Sequence, residues 1–257
     1  EHLDNAERFA DAISYSDKKL IVPDRPVILF IEGDGIGPEL WQATAPVLDM
    51  AVRKAYKGER EIQWKETLAG GKAHELKGDY LPAETIQMIE KYKVAIKGPL
   101  MTPVGGGIRS INVSLRQKFQ LYACIRPVKY FSGVPSPVKN PEAVDMIIFR
   151  ENMEDLYSGI EWKSGTDESA KILAFLKDVM NKPLPADSGI GIKPISEGNT
   201  KNLVRKAMSY AVEHRRKSVT IQRKGNIMKF TEGAFRDWAY EVALNEFRDH
   251  VVTEKEI

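Results

Sequence analysis

The chain has 257 residues, of which 42% are hydrophobic, and its formal net charge is +2. This apolar content suffices for one large domain or two smaller ones, and the even charge balance argues against a nucleic-acid partner. No apolar run reaches 18 residues, so we expect no membrane partner. Cys124 is the single cysteine. It excludes an internal disulfide and favours a reducing, cytoplasmic location.

The first part of the chain alternates between predicted strands and helices. The apolar run Val27–Ile31 predicts a buried strand, and glycines 33, 35 and 37 predict a turn into a helix over 39–56. "EIQWKET" then reads as a strand, "PAETIQMIEKY" as a helix and "VAIKGPL" as a buried strand. This alternation predicts an α/β fold with a largely parallel sheet.

The second part has a different pattern. It predicts a helix at 111–120, strands at 121–131 and 144–152, and two short strands around a helix at 168–180. A helix at 199–216, a strand that runs into a loop within 217–227 and a helix at 231–250 follow. Thr231 is a plausible cap for the last helix. The closing "VVTEKEI" starts like another strand, so we expect the chain to be a fragment.

The glycine motif "GDGIGPE" does not match the dinucleotide fingerprint G-x-G-x-x-G. Pro38 stands where the third glycine should fall. It has two interpretations, an anion site at a helix start and a purely structural turn.

The stretch "KGPLMTPVGGGIRSINVSLRQ" predicts a carboxylate site. Its prolines and three glycines exclude a regular helix before Ser110, which is therefore a candidate N-cap. Asn112 and Arg116 lie four residues apart, on one face of the helix that follows. A hydroxyl, an amide and a guanidinium at a positive helix end suit a carboxylate. The alternative is an ordinary cap with a solvent-facing arginine.

Two further arginines, Arg126 and Arg150, fall in or at the end of apolar strand runs. A buried charge is costly, so each is expected to bind an anion or a partner. The alternative is a salt bridge to Glu151 or Asp155. With Arg116, these arginines suit a substrate with several carboxylates.

Tyr157 and Lys224 form a possible acid–base pair if they share a site. A core tyrosine and a surface lysine are the alternative interpretation. The neighbours of Cys124 are apolar, so we expect its thiol to be buried and inert.

Taken together, these motifs resemble the isocitrate dehydrogenase family of the β-decarboxylating dehydrogenases. The matching segments are "FIEGDGIGPE", "AIKGPL", "TPVGGGIRSINVSLRQ", "LYACIRPVKYF", "VDMIIFRENMEDLYSGIEW", "GIGIKPIS" and "KGNIMKFTEGAFRDWAY". The chain is most similar to the bacterial and archaeal homodimeric, NADP-dependent enzymes. The resemblance implies an α/β isopropylmalate dehydrogenase-like fold that is not a classical Rossmann fold.

The resemblance also implies a domain organisation. Residues 1–121 would form the N-terminal part of a large domain that is incomplete here, and residues 122–154 with 200–257 a small α/β domain. Residues 155–199 would form an inserted clasp that joins two subunits.

The resemblance assigns roles to individual residues. The residues expected to bind isocitrate are Ser110, Asn112, Arg116, Arg126 and Arg150. Ser110 and Asn112 would distinguish isocitrate from isopropylmalate, because relatives acting on the latter lack this pair. Tyr157 would protonate the enol, and Lys224 would act on the hydroxyl proton from the partner subunit. The expected cofactor contacts are Met101, where many relatives carry threonine, Thr102 and Asn226.

The implied activity of the full-length enzyme is oxidative decarboxylation of isocitrate to 2-oxoglutarate in the tricarboxylic acid cycle, with NADP and Mg²⁺ or Mn²⁺. The metal-binding aspartates and the residues that choose NADP over NAD are expected beyond Ile257, so this chain alone is expected to be inactive. Two alternatives stay open: a sister dehydrogenase acting on homoisocitrate or isopropylmalate, and a non-catalytic module for carboxylate binding or dimerisation.

Overall fold

The computed structural model describes residues 12–17, 19–101 and 110–257. The chain divides into two compact units, Glu1–Ser114 and Leu115–Ile257. Thr102 and the triple glycine Gly105–Gly107 lie outside the described residues. The domain boundaries inferred from the family resemblance stay a prediction. In the described part of the chain, no helix is both long and apolar enough to cross a membrane.

The first unit is an α/β arrangement. Its elements are β1 (Ser14–Ser16), β2 (Lys19–Ile21), β3 (Val27–Ile31), α1 (Gly37–Ala55), β4 (Gln63–Glu66), α2 (Gly71–Lys77), α3 (Ala83–Tyr92) and β5 (Ala95–Lys97). β1 and β2 form an antiparallel hairpin. β3 lies between β4 and β5 and pairs in parallel with both. The predicted α/β fold with a parallel sheet is therefore confirmed.

The central strand β3 is covered on both faces. Leu29 is fully buried and packs with Val27 and Tyr92, the last residue of α3. On the opposite face the ring of Phe30 stacks on Trp41 of α1, with ring centroids 4.2 Å apart. Successive side chains of a strand point to opposite faces, so an unbroken apolar run such as "VILFI" fits a strand between two helical layers.

The glycines that follow β3 and β5 let two backbone segments meet. A Cβ on Gly98 would lie 1.9 Å from the carbonyl oxygen of Glu32. Gly33 has a φ of +85°, and a Cβ there would lie 2.2 Å from the carbonyl oxygen of Pro99. Only glycine fits where backbones approach this closely. This geometry supports the structural interpretation of "GDGIGPE".

The second unit begins inside a helix and contains four short strands. Its elements are the end of α4 (Ile111–Lys118), β6 (Ala123–Lys129), β7 (Asp145–Glu151), β8 (Glu161–Trp162), α5 (Asp167–Asp178), β9 (Ile190–Gly191), α6 (Glu197–Glu213) and α7 (Glu232–Glu246). Short 3₁₀ segments lie at Pro141–Ala143, Asp155–Ser158, Arg248–His250 and Glu254–Glu256. β6 pairs antiparallel with β7, and β8 with β9.

The core of this unit lies between its two long helices. Val204 and Met208 of α6 pack with Ala239 and Val242 of α7, and all four side chains are buried. Their spacing of three and four residues is that of one helix face.

The strand predicted at the start of 217–227, before a loop, is wrong. The structure shows irregular backbone there, because no neighbouring strand in the described chain offers it a hydrogen-bonding partner. Ile221 instead packs against the core between α6 and α7. The strand expected in "VVTEKEI" is also wrong. Thr253 and Glu256 form a reciprocal capping box that closes a 3₁₀ turn.

Two predicted local roles also differ from the structure. Thr231 precedes α7, but its backbone is already helical (φ −102°, ψ −69°), and its side chain makes no capping hydrogen bond. Its hydroxyl oxygen is buried without a hydrogen-bond partner. Cys124 is half-buried rather than buried.

Lys193 links the turn that begins at Asp155 to the start of α7. Its ammonium lies 3.3 Å from Oδ1 of Asp155 and also contacts the carboxylate of Glu232. Burial alone would lower the pKa of Lys193, but the two carboxylates outweigh it, so that the pKa is raised above its usual 10.5.

We expect Gly98→Ala to lower the free energy of unfolding by about 2–3 kcal/mol, because the new methyl group would collide with backbone rather than with a flexible side chain. Urea unfolding followed by tryptophan fluorescence measures this. The matched control is Gly198→Ala in α6, where a Cβ meets nothing within 4 Å. That change should leave stability equal or slightly higher. Equal effects of the two changes would contradict the close approach.

Glu232→Gln should destabilise the chain by roughly 1–2 kcal/mol at pH 7, because it removes a charged partner from a partly buried lysine. Since the folded-state pKa of Lys193 is raised, this contribution is complete below about pH 10.5 and is lost as the pH rises through the higher folded value. Urea unfolding of both proteins at pH 7, 9 and 11 tests this. Glu241→Gln should matter less, because the side chain of Glu241 is 46% exposed against 14% for Glu232. The partner of Glu241, Lys201, also keeps a second acid, Glu197. A stability difference that grows between pH 9 and 11 would contradict the assignment.

Candidate substrate and cofactor site

Helix α4 carries the first group of predicted substrate residues. Ser110 directly precedes the helix, and its carbonyl oxygen accepts a hydrogen bond from the backbone N–H of Ser114, at 2.9 Å. Ser110 and Asn112 are half-buried, as is Arg116 one helical turn further on. The residues follow the helical spacing that the sequence predicts, with the hydroxyl and the amide at the helix start, where the dipole favours an anion.

The hairpin of β6 and β7 places Arg126 and Arg150 on one face. Cys124 pairs with Arg150, and Arg126 with Ile148, so the two arginines occupy diagonal positions. Phe149 points to the other face and packs against Tyr210 of α6, with ring centroids 5.4 Å apart. The face carrying the arginines is therefore the one turned away from α6.

These two arginines are less enclosed than their apolar neighbours suggest. Arg126 is exposed and Arg150 is half-buried. Neither guanidinium therefore carries the full cost of a buried charge. Within the described part of this unit, β6 and β7 form a two-stranded sheet, and α6 packs on the face that carries Phe149. Open guanidiniums on one face suit the binding of an anion that arrives from solution.

Arg150 and Tyr157 are predicted site residues that the structure brings together. A guanidinium N–H of Arg150 donates to the phenolic oxygen of Tyr157, and the guanidinium carbon lies 4.7 Å from the ring centroid. In the described residues, Arg150 makes this contact and not the salt bridge to Glu151 or Asp155 that was the alternative interpretation of the sequence. Glu151 instead accepts the backbone N–H groups of Met153 and Glu154.

Tyr157 is held in a 3₁₀ turn at Asp155–Ser158 and is 37% exposed, so it is not a core tyrosine. Its carbonyl oxygen accepts a hydrogen bond of 3.1 Å from the side-chain amide of Gln117. Sequence reasoning missed Gln117. The available signal was its position next to Arg116 on a helix already assigned to the site.

Lys224 and Asn226 lie in the segment between α6 and α7, and both side chains are exposed. The backbone N–H of Lys224 donates to Oε2 of Glu232 at 3.3 Å. Glu232 also holds Lys193, which pairs with Asp155 in the turn that carries Tyr157. Glu232 and Lys193 thus connect the two predicted catalytic segments. Both lie in segments that carry the family resemblance, but neither residue was assigned a role from the sequence.

Met101 is the described member of the predicted cofactor contacts in the first unit. Its side chain is 71% exposed, while its backbone N–H donates to Oδ2 of Asp34 at 2.7 Å. Thr102, the adjacent predicted contact, lies outside the described residues. The exposed thioether of Met101 is accessible to the planar ring of a cofactor. The hydrogen bond from the backbone of Met101 to Asp34 fixes the position at which such a contact would occur.

The described residues include two open clefts, and neither is lined by Tyr157 or Lys224. One, of about 450 Å³, is lined by His74, Gly78, Asp79, Tyr80, Leu81, Ile111 and Ser114. The other, of about 410 Å³, is lined by Tyr122, Asn202, Arg205, Lys206 and Ser209. Within the described ranges, no cluster of three histidine, cysteine or acidic side chains could hold a metal ion.

Two relatives illustrate the similarity to known proteins. The NADP isocitrate dehydrogenase of Staphylococcus epidermidis is 57% identical over 247 residues, which cover 95% of this chain and 58% of that protein. The NADP isocitrate dehydrogenase of Archaeoglobus fulgidus is 55% identical over 96% of this chain and 59% of its own length. The chain therefore spans less than two thirds of these relatives.

Solved structures show the same likeness. Isocitrate dehydrogenase from Methylococcus capsulatus has a TM-score of 0.70 and 34% identity, over 86% of this chain and 57% of that one. A protein from Thermus thermophilus has a TM-score of 0.71 and 34% identity, over 92% of this chain and 43% of that one.

The family model described as isocitrate/isopropylmalate dehydrogenase matches residues 27–257. This match leaves out only the first 26 residues, and its start coincides with β3. It agrees with the isopropylmalate dehydrogenase-like fold expected from the sequence motifs. The chain belongs to the isocitrate/isopropylmalate dehydrogenase family.

Proposed function

We propose that this chain is part of an enzyme that oxidatively decarboxylates isocitrate to 2-oxoglutarate with reduction of NADP. The observation that carries the proposal is the contact between Arg150 and Tyr157, which joins a predicted carboxylate-binding group to a predicted proton donor. The names of the relatives, NADP isocitrate dehydrogenases of bacteria and an archaeon, support the same substrate and cofactor.

Positively charged and hydrogen-bond-donating side chains would bind the negatively charged carboxylates of the substrate. Arg116, Arg126 and Arg150 would bind the carboxylates of isocitrate, and their planar guanidiniums suit bidentate hydrogen bonds. Ser110 and Asn112 would hold the carboxylate that isopropylmalate lacks. Fixing the carboxylates orients the hydroxyl-bearing carbon, which lowers the entropic cost of reaching the transition state.

Proton transfer falls to Tyr157 and Lys224. Arg150 donates a hydrogen bond to the phenolic oxygen of Tyr157. The phenolic proton of Tyr157 is therefore not used in this hydrogen bond, and it stays available for the enol that forms after carbon dioxide leaves. Lys224 would take the hydroxyl proton during oxidation. Its exposed side chain is compatible with service in the site of a second copy of the chain.

NADP, when bound, accepts the hydride from the hydroxyl-bearing carbon. Met101, Thr102 and Asn226 would contact it. The described residues contain no cluster that could hold a metal ion, and the resemblance to the family leads us to propose that the aspartates for Mg²⁺ or Mn²⁺ come from outside them. We further propose a homodimer joined through residues 155–199, and a cytoplasmic location consistent with the single cysteine.

Activity is tested with a polypeptide of the family's full length that contains this sequence. With isocitrate, NADP and Mg²⁺, it should form NADPH, seen by absorbance, while the 257-residue chain alone should not. Isopropylmalate and homoisocitrate are the comparison substrates. Preference for either would favour a sister dehydrogenase, and turnover by the short chain would contradict the expectation that it is inactive. Isocitrate binding without turnover by the full-length polypeptide would favour a non-catalytic module.

Asn112→Ala should raise the KM for isocitrate at least about tenfold in the same full-length polypeptide, because it removes hydrogen bonds to a charged group. The matched control is Ser114→Ala, which lies on the same helix but away from the face of Asn112 and Arg116. Steady-state kinetics on both variants decide the matter. Equal KM values for Asn112→Ala and the unchanged protein would remove Asn112 from the site.

A further inference from the structure

Asp34 in the turn after β3 holds two other backbone segments with one carboxylate. Its Oδ1 accepts the backbone N–H of Gly71 at 2.7 Å, and its Oδ2 accepts the backbone N–H of Met101 at 2.7 Å. Its own backbone N–H donates to the carbonyl oxygen of Pro99, also at 2.7 Å. The start of α2 and the segment after β5 are therefore attached to the same residue.

The space around this carboxylate is closely filled. A Cβ on Gly70 would lie 2.6 Å from Oδ2 of Asp34, and one on Gly71 would lie 3.1 Å from Oδ1. Gly70 has a φ of +80°, a conformation that favours glycine. The two glycines thus leave just enough room for an aspartate, and a longer acid would displace the backbone.

Both acceptor oxygens are needed at the same time. Gly71 is the first residue of α2, so its N–H has no partner within the helix, and Met101 lies in a segment without a ladder hydrogen bond. A carboxylate can accept both, whereas the isosteric amide offers one acceptor oxygen and one donor group. The negative charge also lies at the helix start, where it is favoured.

We propose that Asp34 is a positioning residue that sets the place of Met101, and through it the nicotinamide contact, for the proposed dehydrogenase reaction. This inference rests on the proposed function only for the role of Met101 in cofactor binding. The double attachment itself is a property of the chain. Asp34 would act through the backbone and would not touch substrate or cofactor.

The attachment is tested by hydrogen–deuterium exchange on the 257-residue chain. Asp34→Asn should raise the exchange rates of the amides of Met101 and Gly71 about tenfold, because one charge-assisted bond is lost and the other is weakened. The matched control is Asp79→Asn, which alters an exposed carboxylate that accepts the N–H of Leu81 at 2.9 Å. It should leave both rates unchanged. Protection of β3 amides reports whether the first unit is still folded.

A measurement on the unchanged protein keeps the test valid if Asp34→Asn fails to fold. The Met101 amide belongs to an exposed residue outside the sheet, and yet it should exchange at least about tenfold more slowly than an unbonded amide of the same sequence. Rapid exchange of this amide would overturn the proposal. So would unchanged rates in folded Asp34→Asn, or equal increases in Asp79→Asn.

The positioning role is tested by steady-state kinetics in the full-length polypeptide. Asp34→Asn should raise the KM for NADP about fivefold and change the KM for isocitrate less than about twofold, a difference that general loss of stability would not produce. Equal changes in both constants would overturn the positioning role. If the unchanged polypeptide does not oxidise isocitrate, the proposed function fails, while the exchange experiment still decides whether Asp34 holds the two segments.

Discussion

The close approach of two backbone turns at the ends of β3 and β5 determines the arrangement of the first unit. Gly33 and Gly98 permit this approach because a side chain at either position would overlap a carbonyl oxygen. Once the turns meet, the N–H of Gly98 bonds to the carbonyl oxygen of Ile31 at 2.8 Å, and Asp34 comes within reach of Met101. The absence of side chains at Gly33 and Gly98 thus lets the carboxylate of Asp34 reach the backbone N–H of Met101.

Charge organises the second unit in a comparable way. Arg150 contacts Tyr157, while Lys193 draws Asp155 and Glu232 together. These contacts bring residues that are distant in sequence to the short turn around Tyr157. The ion pairs of Lys193 are partly buried, so solvent screens them less than the exposed pairs on the helix surfaces. The proposed proton donor is therefore held by a local network and not by a hydrophobic core.

Regular elements with a strong pattern were predictable. β3 is a short unbroken apolar run, and α6 has apolar residues at helical spacing, so both were recognised. Helix α2 was missed because it has only seven residues and lies between Gly70 and Gly78. The strand predicted at 217–227 failed for another reason. An apolar alternating segment becomes a strand only when a neighbour supplies the ladder, and the sequence does not reveal the neighbour.

For the predicted site too, some features follow from the sequence and others only from the tertiary structure. The sequence by itself determined the residue types: a serine, an amide and three arginines in motifs that match the family from residue 27 onward. Local spacing also placed Asn112 and Arg116 one helical turn apart. Only the tertiary structure decided that Arg150 contacts Tyr157 and that Asp34 holds Met101. Asp34 and Met101 are 67 residues apart. Arg150 and Tyr157, although only seven apart, lie in a strand and in the turn that follows it. Both contacts depend on how the backbone folds rather than on any local sequence pattern.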